Sequence, residues 1–254
     1  MRAMAWALDL DGVVWLAETP IPGSAEAIER LGRGGTRVVF ITNNSSMTVA
    51  QYGAKLGRCG IEAATDDIVT SAQAAATLLE PGSTALVCAG AGVEEALEAR
   101  GVKTVREGRA DTVVVGWHRD FDFDRLAAAT TAVLAGARLV GTNDDPTYPA
   151  PDGQLPGAGA ILAAVARASG ATPVVAGKPN EPMVELIRSR VGEVEVMVGD
   201  RATTDGLLAR RLGARFALVL TGVVDAAGLA SVEPAPDLVA GSLAELVAAQ
   251  QGLA

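Results

Sequence analysis

Short apolar, β-branched runs alternate along this chain with longer stretches in which apolar positions recur every three or four residues. The first pattern predicts buried strands and the second predicts amphipathic helices. In the outer thirds, strands are expected over residues 5–9, 37–42, 68–70, 195–198 and 216–220. Helices are expected over 24–31, 47–56, 181–190, 203–212 and 243–249. The middle third repeats the pattern, with strands over 85–87, 112–115 and 138–140 and helices over 93–99, 123–134 and 158–168. Ser24 is placed to cap the first helix, with Glu26 in its first turn. Strands alternating with helices through short connections predict parallel sheets covered by helices, an α/β fold.

Proline and glycine punctuate the chain at Glu80-Pro81-Gly82 and at Ala176-Gly177-Lys178-Pro179. We read one domain from residues 1–80 plus 177–254, interrupted by an inserted α/β domain of 81–176. With 254 residues, 49% apolar and 20% charged, a packed core is expected. A formal net charge of -9 disfavours nucleic acid and anionic membranes as partners, since both need basic patches. It leaves small phosphorylated molecules open, because a metal and a lysine reverse the local field. Cys59 and Cys88 form no metal-ligand spacing and are expected to be reduced thiols. The apolar start is halted by Asp9 and no run reaches the length of a membrane span, so a cytoplasmic protein is expected.

The chemistry concentrates where predicted strands end. Asp9-Leu10-Asp11-Gly12 closes the first strand. Alternation of strand side chains lets Asp9 and Asp11 look toward one site while Leu10 points to the core. Carboxylates this close repel unless a cation or a shared proton intervenes, and bound Mg²⁺ is the expected resolution. Three further segments follow strands or precede a helix: Thr42-Asn43-Asn44-Ser45, Gly177-Lys178-Pro179-Asn180, and Gly199-Asp200 running to Asp205. In open parallel sheets such strand ends bind ligands. Acid pair, hydroxyl and amides, lysine and second acid pair are what phosphoryl transfer requires, because its catalysis is positioning plus charge neutralisation.

In order and spacing these four segments resemble the haloacid dehalogenase (HAD) superfamily of phosphatases, and the whole chain is similar to its NagD-like subfamily. The run Gly141-Thr142-Asn143-Asp144-Asp145, followed by Leu155-Pro156-Gly157-Ala158-Gly159, matches that subfamily too. Position 13 is Val where the wider superfamily often has Thr. The resemblance implies a Rossmann-like, doubly wound parallel core with an inserted α/β cap of the C2 type. It implies that Asp9 attacks phosphorus and that Asp11 protonates the leaving alkoxide, then activates the hydrolytic water. Thr42 and the Asn43 backbone would hold phosphoryl oxygens, and Lys178 would balance charge on Asp9 and the phosphate. Asp200 would ligate Mg²⁺ with Asp9 and the Asp11 carbonyl, and Asp205 would orient a water on the metal or Lys178. The resemblance also suggests a homodimer.

Asp11 separates two chemistries within the superfamily. Dehalogenation has no alkoxide to protonate and no need for Mg²⁺, so the second acid and the Asp200/Asp205 pair favour phosphate esters. The expected partner is therefore a small-molecule phosphate monoester, and the resemblance leaves nucleotide, glycerol or sugar, and aryl phosphates open. A phospho-aspartate receiver or a non-catalytic binding protein on the same core are the alternatives. In the inserted domain, Trp117, His118, Asn143, Asp145 and Tyr148 occupy the two loops that could face a substrate. For His118, the single histidine, packing within its loop is the leading reading, because the aspartate chemistry needs no imidazole. Asp120, Asp122 and Asp124 read as an acidic helix N-terminus.

Overall fold

Two parallel sheets organise the chain. The structure, a computed structural model, describes residues 5–150, 153–224, 227–250 and 252. The first stretch runs β1 (Ala5–Asp9), β2 (Trp15–Leu16), β3 (Thr19–Pro20), α1 (Ser24–Arg33), β4 (Arg37–Thr42), α2 (Val49–Arg58), β5 (Ile68–Thr70) and α3 (Ser71–Ala76). The middle runs β6 (Thr84–Cys88), α4 (Ala91–Glu98), β7 (Lys103–Val105), β8 (Thr112–Val115), α5 (Phe123–Leu134), β9 (Arg138–Gly141), β10 (Thr147–Ala150), β11 (Gly153–Pro156), α6 (Ala158–Ser169) and β12 (Val174–Val175). The last stretch is α7 (Glu181–Arg190), β13 (Val194–Gly199), α8 (Leu207–Leu212), β14 (Arg215–Val219), β15 (Leu238–Ala240) and α9 (Leu243–Gln250). The chain divides into two compact units: Met1–Thr42, Tyr52–Val69 and Val184–Ala254 form one, and Asn43–Gln51 with Thr70–Met183 form the other.

The first unit is built on the six-stranded sheet, ordered β15-β14-β13-β1-β4-β5. Its pairings β1–β4, β1–β13, β13–β14 and β14–β15 are parallel. All of β1 is buried, as are the last four residues of β4, β13 and β14. Sheets covered on both faces demand such continuous apolar runs, which is why these strands lack a polar alternation. From β1 the chain winds outward to β4 and β5, then returns to β13 on the other side. This is the doubly wound, Rossmann-like arrangement, and its crevice lies past the carboxyl ends of β1 and β13. α1 packs on α9 so closely that a Cβ on Gly23 would meet the Ala244 Cβ at 2.8 Å.

The second unit is built on a five-stranded sheet, ordered β12-β9-β8-β6-β7, parallel throughout. Leu86, Val113, Val115 and Leu139 from its strands pack with Ala129, Val133, Ile161 and Val165 from α5 and α6. Register sets Cys88, Val115, Gly141 and Val175 level with one another, so the segments that follow them leave from one sheet edge. β10 and β11 form an antiparallel hairpin.

Two local expectations are corrected. Ser24 does not cap α1: the cap position is Gly23 in a left-handed conformation, and the Ser24 hydroxyl donates to the Val13 carbonyl at 3.0 Å. The helix expected over 203–212 starts instead as a widened turn at Ala202–Gly206 before regular α8. The chain entering α2 is capped by Thr48, whose hydroxyl accepts from the Gln51 amide at 3.2 Å. The Gln51 side chain in turn accepts from the Thr48 amide at 2.9 Å. Asn44 serves a tighter turn, accepting from the Ser46 amide at 3.0 Å and hydroxyl at 2.7 Å. Asp122 caps α5 by accepting from the Arg125 amide at 2.8 Å.

Candidate active site

In the first unit, β1 ends on Asp9 and β13 ends on Gly199, one residue before Asp200. The register pairs Leu8 with Val198 and Asp9 with Ile41, so Asp9, Thr42 and Asp200 leave the sheet at the same edge. The widened turn after Arg201 brings Asp205 back to that edge. One carboxylate oxygen each from Asp9, Asp200 and Asp205 lie within 4.8 Å of one another. Widened helical turns recur at functional sites because they re-aim a side chain.

Backbone donors hold these acids. Leu10 N–H donates to Asp9 Oδ1 at 2.8 Å, Val223 N–H to Asp200 Oδ2 at 2.8 Å, and Arg201 N–H to Asp205 Oδ2 at 3.2 Å. Glycines make room for the acids. A Cβ on Gly222 would stand 1.9 Å from Asp200 Oδ2, one on Gly12 2.6 Å from the same atom, and one on Gly199 2.2 Å from Asp205 Oδ2. Gly12 also needs its φ of +84°. The Thr221 hydroxyl donates to the Gly12 carbonyl at 2.5 Å and joins the β14 edge to the turn after β1. Three buried carboxylates with converging oxygens and no room for a Cβ beside them form a hard-oxygen donor set suited to a small divalent cation. The Asp11 carboxylate accepts from Trp15 Nε1 at 3.1 Å.

In the second unit, Asn43 is the hub. Its Oδ1 accepts from the Lys178 amide at 2.8 Å, and its Nδ2 donates to the Lys178 carbonyl at 3.2 Å and to Asp145 Oδ2 at 3.1 Å. Its own carbonyl accepts from Asn143 Nδ2 at 2.6 Å and from the Ser71 hydroxyl at 2.5 Å. Gly177 is required here, because a Cβ would meet Asn43 Oδ1 and the Thr142 carbonyl, each at 2.5 Å. Asn43, Asn143, Asp145 and Lys178 are thus one polar network, buried at Asn43, Asn143 and Lys178 and half-buried at Asp145. Trp117 and Tyr148 stack with ring centroids 4.9 Å apart, and Trp117 Nε1 donates to the Pro156 carbonyl at 3.0 Å. His118 is buried. Its Nδ1 lies 2.8 Å from Asp120 Oδ1, its Nε2 lies 3.6 Å from Cys88 Sγ, and Phe121 meets it edge-on. Burial lowers the His118 pKa below its ordinary value against the pull of Asp120, and burial pushes the Cys88 thiol up to about 11. Both groups are held neutral at physiological pH.

Sequence reading did not find Gly222, Thr221 or Trp15. A Thr-Gly pair directly after a predicted strand was a usable signal for the first two, since ligands gather there. Trp15 lies in an apolar run and looks like ordinary core.

Comparison with known proteins fits this geometry. A haloacid dehalogenase-like hydrolase model matches residues 6–103, and a HAD-hydrolase-like model matches 175–246. An acid sugar phosphatase of Staphylococcus saprophyticus is 36% identical over 79% of this chain and 80% of its own length. The chain belongs to the haloacid dehalogenase-like hydrolase family. A D-glycerol 3-phosphate phosphatase of Mycobacterium tuberculosis is 38% identical over 89% of the chain, which spans 65% of that protein's length. Among solved structures, the p-nitrophenyl phosphatase of Archaeoglobus fulgidus superposes with a TM-score of 0.88 at 31% identity, covering 97% of this chain and 99% of that one. A glycerol phosphate phosphatase from Mycobacterium tuberculosis, solved with magnesium, superposes with a TM-score of 0.87 at 34% identity, covering 95% of this chain and 75% of that one. These relatives place this HAD hydrolase among the phosphoric monoester hydrolases, in keeping with the NagD-like resemblance of its motifs.

Proposed function

We propose that this hydrolase cleaves small-molecule phosphate monoesters with Mg²⁺ through a phosphoryl group carried on Asp9. The observation that carries the reading is the convergence of Asp9, Asp200 and Asp205 at the crevice where the strand order reverses. Asp9, Asp200 and the Asp11 carbonyl would hold Mg²⁺, which would supply the positive charge that offsets repulsion between a carboxylate and a phosphate. Asp9 attacks phosphorus and keeps the phosphoryl group as an acyl phosphate. Asp11 gives its proton to the departing alkoxide and then takes one from the water that releases phosphate. Thr42 and the Asn43 amide hold phosphoryl oxygens. Lys178 balances negative charge on the transferred group, a role that rests on the motif resemblance. Asp205 orients its neighbours in the acid trio.

We read residues 81–176 as a cap of the C2 type on a core of 1–80 plus 177–254, with Trp117, Tyr148, Asn143 and Asp145 as the candidates that select the leaving group. The hydrogen bonds of Asn143 and Asp145 to Asn43 give these two a loop-holding role as well. Glycerol, sugar and aryl phosphates are the first substrates to offer, given what the named relatives act on. Asp9→Asn tests the reading. We expect phosphate release to fall to background with the circular-dichroism spectrum unchanged. Full turnover in a folded Asp9→Asn protein would remove the assigned nucleophile.

A further inference from the structure

Asp11 does not stand alone in its turn. Trp15 is fully buried, and its indole N–H meets Asp11 Oδ1 at 3.1 Å. The backbone closes the same loop, with Gly12 N–H on the Trp15 carbonyl at 2.7 Å and Val14 N–H on the Leu10 carbonyl at 2.9 Å. Behind the indole lies a second charged group. Lys55 of α2 is buried, and its Nζ sits 4.4 Å from the centre of the Trp15 ring. It donates to the Ala17 carbonyl at 2.7 Å and pairs with Glu18 at 3.1 Å. Ala17 turns the β2–β3 hairpin with a positive φ of 52°, a conformation that alanine rarely adopts. The buried ammonium therefore clamps the hairpin that presents Trp15. Its charge over the indole face also leaves the N–H a stronger donor.

We propose that Trp15 is a positioning residue for the Asp11 acid, held in place by Lys55, a role that rests on the functional reading above. The indole N–H on Oδ1 fixes the rotation of the Asp11 carboxyl, and with it the direction in which the acid presents its proton. In the first step an Asp9 oxygen–phosphorus bond forms and the bond from phosphorus to the ester oxygen breaks. The electron pair of that bond stays on the leaving oxygen, which takes the Asp11 proton. A carboxyl free to rotate would present the proton in the right direction only part of the time.

The test compares kcat/KM, which reports the steps up to leaving-group departure, on two substrates with Mg²⁺. Glycerol 3-phosphate expels a strongly basic alkoxide that needs the proton, whereas p-nitrophenyl phosphate expels a stable anion that does not. Asp11→Asn sets the scale, with a loss of about 100-fold or more on glycerol 3-phosphate and a much smaller one on p-nitrophenyl phosphate. Trp15→Phe keeps a ring and removes the donor. We expect about a tenfold loss on glycerol 3-phosphate and a change within about twofold on p-nitrophenyl phosphate. Lys55→Met should give a smaller loss with the same selectivity, and it serves as the second probe if Trp15→Phe does not fold. A readout without substrate or metal is the indole N–H spectrum. The chain has three tryptophans, and the resonance lost in Trp15→Phe should shift in Asp11→Asn. Equal losses on both substrates in folded Trp15→Phe and Lys55→Met, or an unmoved indole resonance, would overturn the proposal. If Asp11→Asn itself leaves the substrate ratio unchanged, the assignment of Asp11 as the acid fails, and the role of Trp15 fails with it.

Discussion

The acid trio depends on glycines as much as on its carboxylates. Gly222 and Gly12 both face Asp200, and neither position has room for a methyl group. Gly222→Ala should displace the Asp200 carboxylate and raise the Mg²⁺ concentration for half-maximal activity by about tenfold or more, as measured by metal titration. An unchanged titration would mean that the carboxylate position is not limiting. His118 makes a different prediction. Its folded pKa lies below the ordinary 6.5, so on acidification the unfolded chain takes up a proton first. Stability is full above pH 6.5 and falls as the pH drops below it, while the depressed Asp120 pKa acts only below about 3.8. Melting temperatures between pH 7.5 and 5 should decline, and His118→Asn should flatten that decline. The convergence of Asp9, Asp200 and Asp205 was legible in the sequence because acids placed directly after predicted strands gather at one sheet edge. The burial of His118 against Cys88 was not, because a lone histidine beside an aromatic fits many settings.

At the scale of elements, caps and turns place the functional ends. Removing the capping oxygen in Thr48→Ala or Asp122→Ala should lower stability by about 1 kcal/mol each in urea unfolding, with substrate turnover retained. A loss near zero would show that α2 or α5 is fixed by tertiary packing instead. Strands β1, β4, β8 and β13 were predictable from their apolar runs, since burial on both faces leaves little else for such sequences to do. The missed strands are short and lie at edges. β7, β12 and β15 have two or three residues and partly exposed faces, so their periodicity is too brief to read. The β10–β11 hairpin runs through Pro149 and Pro156, which argue locally against a strand and are tolerated where there is no central ladder to break. The widened turn at Ala202–Gly206 was read as plain helix because it runs straight into the helix-forming residues of α8, and only the packing of Asp205 against Gly199 gives a reason for the extra residue.

For the whole molecule, an excess of acids and a convergent carboxylate trio predict a coupling between metal and stability. Three like charges at close range oppose folding until a cation binds. Millimolar Mg²⁺ should raise the melting temperature, EDTA should reverse the rise and abolish turnover, and Asp200→Asn should blunt both responses. No helix among the described residues is long and apolar enough to cross a membrane. The α/β class and the doubly wound sheet were legible from strand–helix alternation. Asn43 hydrogen-bonds to Lys178, Asn143 and Asp145, and no local pattern announces such long-range polar pairing. The central claim is that Asp9 carries the phosphoryl group. Its most direct test is to quench the enzyme during turnover with Mg²⁺ and substrate, reduce with borohydride, and sequence the peptides by mass spectrometry. Reduction of an acyl phosphate should convert the residue at position 9, and no other, to homoserine, and only when substrate is present. Phosphate release with position 9 unmodified, or with the label on another carboxylate, would contradict the account.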